Sequence, residues 1–147
     1  MLGQNLDKVI RGGRGESVKV HKIDHVVLTV KDIESTCQFY SKVLGMTVVE
    51  FGEGRKALMF GDQKINLHEE GKEFEPKALK PTPGSSDLCF ITNVSLEDVL
   101  KYFVSFGVKA IEGPIEKMGA CGLIKSVYLK DPDGNLIEIS NYLDPIK

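Results

Sequence analysis

Three cysteines in 147 residues are too few and too scattered to hold this chain together covalently. Cys37, Cys89 and Cys121 are odd in number and fit neither a disulfide framework nor a zinc knuckle. That usage suits a reducing cytosol. Charge of one sign is also lacking: 19 Lys and Arg stand against 21 Asp and Glu, a formal net charge of −2. Such a balance gives no electrostatic reason to expect nucleic acid or an anionic membrane as partner. No apolar run approaches the roughly 20 residues of a membrane-spanning helix. The opening Met1–Ser17 has no secretory apolar core and carries Arg11 and Arg14 among Asp7, Glu16 and three glycines. With the residues up to 21 it reads as a flexible leader, a weak mitochondrial presequence being the other reading. Cytoplasmic residence is the expectation and a mitochondrial one the alternative.

What is present is an ordinary globular composition, 41% hydrophobic and 27% charged, in one domain's length of chain. It also hides a repeat. A shift of 62 positions lays Tyr40 on Tyr102, Gly45 on Gly107, Glu50 on Glu112 and His25 on Asp87. With ten further residues inserted, Ile65-Asn66-Leu67-His68 falls on Ile137-Glu138-Ile139-Ser140. In each half an apolar strand (Ile23–Val30; Asp87–Thr92) leads into a helical pattern. Asp32 and Ser95 stand where caps accept free amides, and Gly45 and Gly107 where a left-handed residue closes the helix. Three strands follow each helix, near Met46–Phe51, Lys56–Phe60 and Lys64–His68, then near Ala110–Glu116, Ile124–Leu129 and Leu136–Asn141. The sequence therefore predicts an α+β fold of two tandem βαβββ modules forming a curved mixed sheet around a cleft. Module one spans 22–69, a Pro-rich linker 70–85, and module two 86–143.

The chemistry gathers at four matched strand positions. The tight turn Asp131-Pro132-Asp133-Gly134 feeds the apolar strand Leu136–Asn141, and Glu138 within it is costly to bury without a partner. Its match in the first half is Asn66, and the first strands of the two halves contribute His25 and Asp87. One nitrogen and three oxygens favour a hard or borderline divalent ion such as Mn²⁺, Mg²⁺ or Fe²⁺ over a thiolate zinc site. Plainer readings stand beside this one: a core histidine at 25, a salt-bridged Glu138, a turn-capping Asp87. His68 shares a strand face with Asn66 and offers a second imidazole. Arg55 reads either as a clamp for an anionic group or as a solvated hairpin residue. The Gly-rich Lys117–Gly122 reads as a mobile lid.

Three segments carry a family resemblance: Ile23-Asp24-His25-Val26-Val27-Leu28-Thr29-Val30, Phe39-Tyr40-Ser41-Lys42-Val43-Leu44-Gly45-Met46 and Asp131-Pro132-Asp133-Gly134-Asn135-Leu136-Ile137-Glu138. They resemble the vicinal oxygen chelate superfamily, which includes glyoxalase I, fosfomycin-resistance and bleomycin-resistance proteins and extradiol dioxygenases. Gly54–Leu58 and Ile65–Ala78 look most like its glyoxalase domain-containing members. The resemblance implies a divalent metal (Mn, Ni, Fe, Zn or Mg) on His25, Glu138, Asp87 and Asn66. It places Glu138 and Tyr128 as catalytic, and a substrate shell on Arg55, His68, Ser126 and Tyr128. Asp87 departs from the family's usual histidine and Asn66 from glyoxalase I's carboxylate, and Asn66 cannot serve as a general base. The expected partner is a small-molecule substrate, in a homodimer, with lyase, isomerase or thiol-transfer chemistry. Metal-free sequestration of a ligand and Fe(II) ring cleavage are the rival functions.

Overall fold

The computed structural model describes residues 18–144. The segments 1–17 and 145–147, and with them most of the expected leader, lie outside the described residues. The chain runs β1 (His25–Val30), α1 (Ile33–Lys42), β2 (Thr47–Phe51), β3 (Arg55–Phe60) and β4 (Gln63–Glu69). After the linker it repeats as β5 (Asp87–Ile91), α2 (Leu96–Ser105), β6 (Glu112–Gly119), β7 (Gly122–Lys130) and β8 (Leu136–Tyr142). This is the predicted βαβββ pair. Each module forms one mixed sheet, ordered β1-β4-β3-β2 and β5-β8-β7-β6, with the first strand parallel to the last.

The helices start and stop for the reasons the sequence suggests. Asp32 accepts the Ser35 amide at 3.2 Å, and Ser95 accepts the Asp98 amide at 3.2 Å. Gly45 and Gly107 close the helices at φ +66° and +69°, a region open to glycine without strain.

The strands alternate apolar and functional faces. Leu28, Val30, Leu58, Ile65 and Leu67 of module one join Tyr40 and Val43 beside α1. Val127, Leu129, Ile137 and Ile139 of module two join Leu96, Val99 and Phe103 of α2, and all belong to one buried cluster. Phe60 and Phe90 meet edge to face across the seam, centroids 5.3 Å apart. The modules thus share a core through their helix-bearing faces, which leaves the opposite faces free for chemistry.

The Asp131 turn locks the modules together. Asp131 accepts four hydrogen bonds: Asp133 N and Asn135 N on Oδ1, Tyr40 Oη and Asn135 Nδ2 on Oδ2, at 2.7–2.9 Å. Asn135 Oδ1 accepts Ser86 N at 2.8 Å, and Asp133 Oδ1 accepts Lys31 N at 3.2 Å. Gly84 lies so close to this turn that a Cβ would stand 2.6 Å from the Asp133 carbonyl oxygen.

Two expectations change. Lys117–Gly122, expected as a mobile lid, forms a hairpin: β6 and β7 run through it, Gly119 pairs with Gly122, and Tyr142 Oη accepts the Cys121 amide at 3.1 Å. Its glycines make the tight turn between the two strands. β1 begins at His25, not Ile23, which is 63% exposed and uses its carbonyl to accept Gln63 Nε2.

Candidate metal and substrate site

The strand registers reproduce the repeat. In module one Val27 stands opposite Asn66 and Thr29 opposite His68; in module two Cys89 stands opposite Glu138 and Ile91 opposite Ser140. Period-two alternation then puts His25, Val27, Thr29, Asn66 and His68 on one face of the first sheet. Asp87, Cys89, Glu138 and Ser140 occupy the matching face of the second, beside Ser126 and Tyr128 of β7.

The module-one half is built on imidazoles and an amide. His25 is exposed, and its Nδ1 lies 2.8 Å from Asp24 Oδ2, leaving Nε2 available. That contact holds the Asp24 carboxyl below its ordinary value. Asn66 Oδ1 is buried without a hydrogen-bond partner among the described residues. His68 is 5% exposed, and none of the hydrogen bonds among the described residues ends on its ring. Its edge meets Phe74, centroids 5.5 Å apart. Burial, and then the Arg55 guanidinium, hold the His68 imidazole below its ordinary value. Arg55 itself is sandwiched, its Cζ 4.1 Å from the Phe74 centroid and 5.4 Å from that of Phe51. The linker residue Phe74 therefore fixes both expected substrate residues of this module.

The module-two half is built on oxygen and sulfur. Ser126 Oγ donates to Glu138 Oε2 at 2.5 Å and lies 2.6 Å from Ser140 Oγ, which is 3.3 Å from Cys89 Sγ. A hydroxyl has one hydrogen, so the directions follow: Cys89 donates to Ser140, Ser140 to Ser126, and Ser126 to the carboxylate. Burial, reinforced by Glu138, lifts the Tyr128 phenol to about 12 and keeps it a hydrogen-bond donor at neutral pH. Burial likewise lifts the Cys89 thiol. Asp87 stands exposed at the start of β5. Cys89 and Ser140 were missed in the sequence, although the 62-residue shift lays Cys89 on Val27 and so on the functional face.

Within one chain the two halves do not converge. Val27, Thr29 and His68 line a cavity of about 510 Å³ under the linker, whereas Cys89, Tyr128 and Glu138 line a separate one of about 460 Å³. Among the described residues no three His, Cys, Asp or Glu side chains gather as a metal-holding group. The donors nevertheless match a hard divalent ion in type: an imidazole nitrogen not engaged by Asp24, an amide oxygen without a partner among the described residues, and two carboxylates.

The family model of the glyoxalase/bleomycin resistance protein/dioxygenase superfamily matches residues 22–139. The chain belongs to that superfamily. Its glyoxalase-type domain is 56% identical to the virulence protein STM3117 of Salmonella typhimurium over 124 residues, 84% of this chain and 86% of that protein. It is 54% identical to the glyoxalase domain-containing protein RDO1 of Mycosarcoma maydis over 127 residues, 86% and 72% of the two chains. The crystal structure of STM3117 superposes with a TM-score of 0.83, covering 84% of this chain and 98% of that one. Among the described residues no helix is long and apolar enough to cross a membrane.

Proposed function

We propose that this glyoxalase-superfamily chain is a homodimeric, divalent-metal-dependent enzyme acting on a small substrate with two adjacent oxygens. Each cleft joins module one of one protomer to module two of its partner. The observation that carries this reading is the pair of incomplete half-sites on outward faces. β1 and β5 are both sheet edges, each with one side unpaired among the described residues, and their functional faces expose Val27 (47%) and Ile91 (48%). Edge strands with free amides and apolar side chains invite a second copy.

In such a cleft His25 and Asn66 would hold the ion together with Asp87 and Glu138 of the partner subunit. A bound divalent ion supplies Lewis acidity to the substrate oxygens. Asp24 orients the His25 ring through Nδ1, and Ser126 fixes the Glu138 carboxylate with its hydroxyl proton. Tyr128, kept protonated, donates to an oxyanion as it develops. Lyase, isomerase and thiol-transfer reactions all use this arrangement.

The test is complementation by mixing. His25→Ala and Glu138→Ala proteins should each lose stoichiometric Mn²⁺ or Ni²⁺ binding. Dissociated and reassociated together, they should regain about a quarter of the sites, because half the dimers are mixed and one cleft in each is intact. A site confined to one chain would regain none.

A second reading, metal-free sequestration of a small ligand, draws on the neutral Asn66 and the exposed Asp87. It requires ligand binding that a chelator leaves unchanged. Fe(II) ring cleavage has less support, since Asp87 stands where that chemistry needs an imidazole.

A further inference from the structure

The cavity under the linker holds groups the proposed metal chemistry does not use. Its floor is Val27, Thr29 and His68, and its roof is the linker from Pro76 to Ser86. His68 is 95% buried, no hydrogen bond among the described residues ends on its ring, and its nitrogens are not among the polar atoms sealed from solvent, so the imidazole opens onto the cavity it lines. At the mouth stand two ammonium groups. Lys77 is engaged by Glu75 at 3.6 Å and Glu73 at 4.0 Å, whereas Lys80 makes no ion pair among the described residues. Thr29 and Ser86 also line the cavity, and among the described residues neither hydroxyl is hydrogen-bonded. An ammonium without an ion pair among the described residues, an imidazole open to the cavity and two nearby hydroxyls, walled by Val27 and Pro76, describe a receptor for an oxyanion on a short carbon chain.

We infer that this cavity receives the anionic end, a carboxylate or a phosphate, of the substrate, with His68 and Lys80 as its hydrogen-bonding and charge partners. The inference rests on reading module one's face as half of the cleft and adds a substrate class to that reading. The Thr29/His68 pair lies two residues along the strands from Val27/Asn66, roughly 7 Å. The substrate would therefore carry its oxyanion a few bonds away from the oxygens presented near Asn66.

The test uses the full chain labelled with ¹⁵N-histidine, in chelator and without metal. Only three histidines are present, and a His68→Gln spectrum assigns the resonance in question. Acetate, methylphosphonate and neutral acetamide are titrated in turn. Acetate or methylphosphonate should shift the His68 resonances saturably, with acetamide at least tenfold weaker. The tighter of the two oxyanions distinguishes carboxylate from phosphate. Lys80→Glu should weaken the oxyanion tenfold while leaving the ligand-free His68 resonances in place. No saturable shift with either oxyanion, equal affinity for acetamide, or indifference to Lys80→Glu would each overturn the inference. Since no metal is present, failure here is distinguishable from failure of the mixed-variant experiment.

Discussion

Asp131 shows how much one buried side chain can control. Its two oxygens take four hydrogen bonds, one of them from Tyr40 at a sequence distance of 91 residues. Asp131→Ala strands those donors and should cost about 3 kcal/mol or more, read as a lower midpoint in urea unfolding. At the candidate site the sensitive group is Tyr128. On the proposed mechanism Tyr128→Phe removes the donor to the developing oxyanion, so kcat should fall by roughly a hundredfold with little change in stability. Glu73 sets a pH dependence. Its own amide and that of Gly71 hold the carboxyl below its ordinary value of 4.5. The folded state therefore binds this proton less readily than the unfolded chain. The stabilisation is complete above about pH 4.5 and is lost as pH falls toward the depressed value. Glu73→Gln should flatten that acid limb of a stability–pH profile.

Elements carry the next level of control. Period-two alternation put His68 on the face of Asn66 and Ser126 on the face of Tyr128, whereas Asn66 itself followed from its match to Glu138 in the repeat and Tyr128 from the family resemblance. Helix limits were legible too, because Asp32, Ser95, Gly45 and Gly107 each have a local reason for their position. The 117–122 hairpin was not legible, since glycine serves a tight turn and a mobile loop equally well. Nor did parity tell which sheet face meets which, a matter of helix packing between distant segments. The clearest test at this level is the β1 edge. Val27→Lys puts a charge on a half-exposed apolar position of the expected interface and should convert dimer to monomer in light scattering. Metal binding should be lost with it.

For the whole molecule, the common core matters most. Residues of both helices and both sheets belong to one buried cluster, so neither module has an interior of its own. Unfolding should be a single cooperative transition, with calorimetric and van't Hoff enthalpies equal. Two separated peaks would show independent modules. The same architecture explains why the individual residues were recognisable while their assembly was not. Local pattern assigns a residue to a face, but only the packing of Tyr40 on the Asp131 turn decides where that face points.

The linker's Leu79 is 93% exposed, whereas the segments on either side are anchored by Phe74 on Arg55 and by Ser86 on Asn135. A break in the backbone at this point would cut the gene product in two without cutting the fold. The halves would stay associated as a non-covalent pair, each supplying the other's missing interior. Two half-length genes, each encoding one βαβββ unit, would then suffice to make this fold.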